Sequence, residues 1–177
     1  MSLIDNALKA NKIYARGHDP ALVKPPCPKV AVLTCMDPRL SSLEQILGLE
    51  TGDLQVIRNG GPVVTEDALR SLIISTRVIG TEEILILGHT RCGLHNLSEH
   101  ELTETLKRES GGADPLPNGF LAFTDAEDNT RNQVRAVRSH PWIPKGVPVR
   151  GAIYDTDTGE LREVDAGDDY STADGTW

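Results

Sequence analysis

A chain of 177 residues, 38 % hydrophobic and 25 % charged, has the balance of one soluble domain whose core needs no disulfide staples. Its net charge of −8, from 18 Lys plus Arg against 26 Asp plus Glu, leaves no basic face for a nucleic-acid backbone or an anionic lipid surface. No apolar run reaches membrane-span length, the N-terminal MSLIDNALKANKIYARG does not read as a signal peptide, and three cysteines do not make a secreted disulfide framework; the cytoplasm is the expected compartment.

Residues 2–16 are expected to be a helix, with Leu3, Ile4, Ala7, Leu8 and Ile13 near helical spacing. The proline-rich HDPALVKPPCP follows as a loop. Lys29–Cys35, KVAVLTC, reads as a strand buried on both faces, and Leu40–Leu49 as a short helix ending near Gly48. Asp53–Asn59 is a second strand, closed by Gly60–Gly61–Pro62 as a tight turn. Thr65 looks like the N-cap of a helix over Glu66–Ile79, with Glu66 and Asp67 in its first turn.

Glu83–Leu87 is a third buried strand, and helices are expected at 97–109 and 125–139, separated by a Gly/Pro-rich loop at 110–119. Val147–Tyr154 and Glu160–Val164 flank DTDTG and are expected to form a hairpin. Residues 1–164 thus read as a single domain with an N-terminal helical arm, and 165–177, with four Asp and no base, as a solvated acidic tail. Strands alternating with helices predict an α/β fold: a mainly parallel central sheet flanked by helices, with ligands at the carboxyl ends of the strands.

Three residues with metal-ligating chemistry fall at that edge. Cys35 ends the first strand, and His89 and Cys92 are placed just beyond the third. Two thiolates and one imidazole suit Zn2+, and three protein ligands leave a fourth tetrahedral position open, the catalytic rather than the structural pattern. H-x-x-C by itself is equally compatible with a packed cysteine and a strand-capping histidine; Cys35 on the neighbouring strand shifts the balance to a metal. In CMDPR, Asp37 and Arg39 follow Cys35 closely. A guanidinium can hold a carboxylate by two parallel bonds and keep it ionised, ready to organise a water at the metal.

CMDPR, RNGGPVVTEDALRSL and HTRCG together resemble the β-class carbonic anhydrases, which show C-x-D-x-R and H-x-x-C about fifty residues apart. The likeness runs from the N-terminal helix to about Val164. The ending HPWIP…VRGAIYDTDTGELREV is similar to a short-chain subgroup that includes CO2 hydratases and carbonyl sulfide hydrolases. The resemblance implies Cys35, His89 and Cys92 as zinc ligands and Asp37–Arg39 as the catalytic dyad. It implies addition of zinc-bound hydroxide to a small linear substrate: CO2 first, carbonyl sulfide as the alternative, with a non-catalytic zinc-binding protein as the rival of another class. It also implies a homodimer or larger even-numbered homo-oligomer, with N-terminal helices reaching across and apolar pocket walls from both subunits. The chain departs from the family pattern at Pro38, at RNGGP, at Gly88 and at Arg91 between two ligands.

Other candidates are weaker. Cys27 reads as a loop cysteine, His95 as a surface helix residue, and His18, His100 and His140 as solvent-facing. Arg58 reads as a structural ion-pair partner. A redox protein would want a C-x-x-C pair, which the chain lacks.

Overall fold

The computed structural model describes residues 2–18, 28–50, 52–113 and 119–167. Cys27 and nearly all of the proline-rich loop lie outside them. Five strands form one sheet: β1 (Val30–Cys35), β2 (Leu54–Asn59), β3 (Glu83–His89), β4 (Val149–Tyr154) and β5 (Leu161–Val164). Their order is β2-β1-β3-β4-β5. The first four run parallel, and β5 returns antiparallel beside β4 as the expected hairpin.

Five α-helices accompany them among the described residues: α1 (Leu3–Tyr14), which precedes the sheet and buries nothing, α2 (Leu43–Leu47), α3 (Glu66–Ile74), α4 (Glu99–Glu109) and α5 (Ala126–Ser139). Their starts are chemically marked. Ser2 and Asp5 form a capping box on α1, and Thr65 accepts from the Ala68 N–H at the start of α3. Gly48 ends α2 in the left-handed conformation, φ 65°. The helix expected to run to Ile79 changes to a π-helical turn over Ser75–Ile79, where Ser75 is buried and its hydroxyl meets Gln55 and Thr81.

Alternation along the strands splits the core between the two faces of the sheet. Ala31, Leu33, Ile84 and Ile86 pack on Ala68 and Leu72 of α3 and on Val134 and Val137 of α5. Val32, Leu87 and Ala152 face the other way, onto Leu40 and Leu43. β1 is buried because parallel strands cover it on both sides, whereas β2 is at the sheet edge and stays half-exposed.

Residues 165–167, assigned to the tail by composition, run along α5: Arg131, Arg135 and Arg138 donate to the carbonyls of Asp165, Ala166 and Gly167. The remaining tail residues, 168–177, lie outside the described residues. No helix among the described residues is long and apolar enough to cross a membrane.

Candidate metal centre and its acid–base pair

Cys35 is the last residue of β1 and His89 the last residue of β3; these strands are hydrogen-bonded neighbours at the centre of the sheet. His89 is therefore inside the strand rather than beyond it, because β3 continues pairing with β4 through His89 and Tyr154. The chain then turns sharply through Arg91, φ 55°, and brings Cys92 back beside Cys35, the two sulfurs 3.9 Å apart. The donor atoms of Cys35, His89 and Cys92 all lie within 4.8 Å of one another, and all three residues are buried.

The imidazole orientation tests whether this set fits a metal. His89 Nδ1 lies 2.8 Å from the Thr90 carbonyl, so it carries the proton and donates it there. That leaves Nε2 as an acceptor, buried and without a hydrogen-bond partner. A buried lone pair with no donor is costly to a protein, and a zinc ion held with the two sulfurs would satisfy it. The donor chemistry and the orphaned nitrogen both fit zinc.

The two thiols share one proton unevenly. The Cys35 pKa is drawn down to about 4, first by its hydrogen bond with Cys92, against burial, and further by His89 and the backbone N–H groups of Gly61 and Asp37. Cys92 is pushed up, because it keeps the proton the two sulfurs share and because it is buried. Burial opposes a charge on His89, but the Cys35 sulfur and the Thr90 carbonyl outweigh it and raise its pKa. Gly61, φ 80°, is needed for the turn that aims its N–H at Cys35; a Cβ there would stand 2.8 Å from Leu94.

Asp37 and Arg39 form the expected fork. Asp37 Oδ1 accepts from Arg39 Nε at 2.9 Å and Oδ2 from Nη2 at 2.7 Å; Oδ1 also accepts the Arg39 backbone N–H at 2.9 Å. Pro38 suits this geometry, since Asp37 caps a 3-10 turn over Pro38–Leu40 and proline's fixed φ belongs at its first position. The Arg39 guanidinium holds the Asp37 carboxyl well below the usual carboxylate range. Asp37 Oδ2 stands 4.0 Å from His89 Nε2, so the carboxylate lies beside the unpartnered nitrogen.

Other sequence expectations fare differently. His95 is not on a helix; it bridges to Phe123 before α4 begins, and its Nε2 meets the Thr124 carbonyl. His140 is half-buried and accepts from the Trp142 N–H, while His18 and His100 are exposed. Arg58 donates to the carbonyls of Cys35 and Leu40 rather than to a carboxylate, bracing the backbone at Cys35. Thr90 and Thr156 escaped the sequence reading. Their link spans 66 residues, and neither belongs to a metal-ligating type.

The family model for carbonic anhydrase matches residues 30–161. Beta-carbonic anhydrase 1 of Mycobacterium tuberculosis is 36 % identical over 164 residues, covering 93 % of this chain and 99 % of that protein. A carbon disulfide hydrolase of Acidianus sp. is 31 % identical over 182 residues, covering 90 % of this chain and 88 % of its own length. The crystal structure of a carbonic anhydrase from Streptococcus mutans superposes with a TM-score of 0.83 at 43 % identity, covering 93 % of this chain and 99 % of the other. The match across the sheet, including the strand ends that carry Cys35 and His89, makes this chain a member of an enzyme family, the β-carbonic anhydrases.

Proposed function

We propose that this chain catalyses the reversible hydration of CO2 to bicarbonate, with zinc held by Cys35, His89 and Cys92. The observation that carries the proposal is the unpartnered Nε2 of His89, buried beside two sulfurs and 4.0 Å from the Asp37 carboxylate. Zinc held by Cys35, His89 and Cys92 would supply a Lewis acid able to activate water, and the two thiolates would offset its charge and so temper that acidity relative to a site of three neutral histidines. Thr90 fixes the imidazole, Arg39 keeps Asp37 ionised, and Asp37 accepts a hydrogen bond from the attacking water and orients it.

The second reading is hydrolysis of a sulfur analogue, carbonyl sulfide, to H2S and CO2 on the same residues. The carbon disulfide hydrolase relative favours keeping it. Both substrates are linear with an electrophilic carbon, and the five residues above do not discriminate between oxygen and sulfur. Bicarbonate formation and sulfide release are to be measured on one zinc-loaded preparation. CO2 hydration is expected to dominate. Sulfide release outpacing it would move the assignment to the hydrolase, and neither activity at full zinc occupancy would leave a zinc-binding protein without catalysis. The same proposal includes a cytoplasmic enzyme, residues 1–164 as one domain, and an even-numbered homo-oligomer, which the exposed apolar side chains of α1 support.

A further inference from the structure

Arg39 uses four of its five N–H groups. Nε and one Nη2 hydrogen go to Asp37. The other Nη2 hydrogen goes to the Arg91 carbonyl at 2.9 Å, and Nη1 reaches the Thr156 hydroxyl at 3.5 Å. These last two partners come from different elements: the turn that carries Cys92, and the turn between β4 and β5. They are also tied to each other. The Arg91 guanidinium pairs with Asp157. Thr156 N–H donates to the Thr90 hydroxyl at 3.0 Å, and the two threonine hydroxyls lie 3.1 Å apart.

Arg91 sits at φ 55°, a conformation a non-glycine residue enters only when its surroundings hold it. The left-handed turn serves both to return Cys92 to Cys35 and to place the Arg91 carbonyl against Arg39. An exposed ion pair such as Arg91–Asp157 contributes little to stability by itself. Its role is orientation: it holds the turn whose Arg91 carbonyl meets Arg39 Nη2 at 2.9 Å, while Thr156 is the one side chain of the strap that reaches the guanidinium, through a longer contact of 3.5 Å to Nη1.

We propose that the β4–β5 turn is the mount of the acid–base pair: Thr156, seconded by the Arg91–Asp157 pair, positions Arg39 and through it Asp37. Thr156 is a positioning residue, since it touches Arg39 and neither substrate nor metal ligand atoms. The proposal rests on the reading of Asp37–Arg39 as the working dyad. Thr90 is the hub: its carbonyl orients His89 while its hydroxyl holds the turn that orients Arg39.

The test uses zinc-loaded enzyme with CO2 as substrate. Thr156→Ala is expected to lower kcat by about tenfold with KM little changed, and Thr156→Ser to restore most of it. Zinc content should stay at the wild-type level. In the Asp37→Asn background, Thr156→Ala should cost nothing further, because its effect passes through Asp37. Independently of turnover, the 15N-resolved exchange of the Arg39 Nε proton should quicken in Thr156→Ala and return to normal in Thr156→Ser. If Thr156→Ala folds poorly, Asp157→Asn loosens the same turn from outside, with an expected loss of about two- to threefold. Wild-type turnover with an unchanged Arg39 Nε signal in Thr156→Ala overturns the proposal, as does an additive loss on the Asp37→Asn background. An active Asp37→Asn enzyme removes the dyad reading instead, and the Arg39 Nε signal then decides the mount by itself.

Discussion

The carboxyl edge of the sheet and the N-terminal helix treat their side chains in opposite ways. At the edge, Cys35, His89 and Cys92 are 5 %, 1 % and 6 % exposed, the two sulfurs meet at 3.9 Å, and the Thr90 carbonyl fixes the imidazole. On α1, Leu3, Ile4, Leu8 and Ile13 are 87 %, 71 %, 62 % and 71 % exposed, and no residue of the helix is buried. At the edge, among the described residues, two buried polar atoms lack a partner: His89 Nε2 and, behind it, the Thr130 hydroxyl. The helix forms locally, through its cap and its spacing, but buries nothing within the chain. Covering an apolar side chain is worth about 1.5–3 kcal/mol, so four left in water are a standing incentive to associate. One region concentrates buried metal-ligating groups, the other exposed apolar ones.

The largest expected effect strikes the edge. Purified protein should carry about one zinc per chain, and Cys92→Ser should lose most of it in metal analysis. Full occupancy in that variant would show that the cluster is not the zinc site, and the contrast with α1 would vanish. Next comes the dyad. Asp37→Asn preserves shape but removes the charge, and turnover should fall by about 10²-fold or more with zinc retained. Because Asp37 is held far below the usual carboxylate range by Arg39, its charge is fully present above about pH 4, the ordinary value, and disappears only in stronger acid. A kcat/KM that rises between about pH 6 and 9 therefore reports the attacking water, not this carboxylate; a flat or falling profile with zinc still bound would exclude the mechanism.

A smaller effect measures how tightly the edge is built. A Cβ on Gly88 would stand 2.5 Å from the Thr130 hydroxyl oxygen and 2.7 Å from Ile153 Cδ1. Gly88→Ala should destabilise by about 1–3 kcal/mol in denaturant unfolding. Thr130→Ala should be cheap on its own, since that buried hydroxyl has no partner, and should relieve part of the strain when combined with Gly88→Ala. Unaltered stability in Gly88→Ala would mean that the close packing behind His89 is not tight. The smallest effect on the edge should come from α1. Deleting residues 1–17 should lower the native mass in light scattering and loosen the assembly while leaving zinc in place. A full-length mass of one chain under dilute conditions would refute the oligomer outright.

What was legible in the sequence was whatever neighbours along the chain decide. KVAVLTC announced a strand buried on both faces, DALRSLII a helix behind the Thr65 cap, and C-M-D-P-R with H-T-R-C-G the side chains that form a cluster able to hold a metal ion and the carboxylate–guanidinium fork beside it, because side-chain chemistry and short spacings survive without coordinates. Even Pro38 could be absorbed locally, as the first residue of a 3-10 turn. Tertiary structure decided the rest. His89 belongs to β3 because β4 pairs with it, and the helix after Thr65 turns π-helical where Ser75 meets Gln55 and Thr81. Arg58 braces carbonyls, and Thr156 reaches Arg39 across 117 residues, through contacts that exist only once the parallel register is set. Secondary structure and ligand type follow from periodicity and side-chain chemistry over a few residues. The support around a site follows from which distant turns the sheet brings to its edge, and no local pattern encodes that.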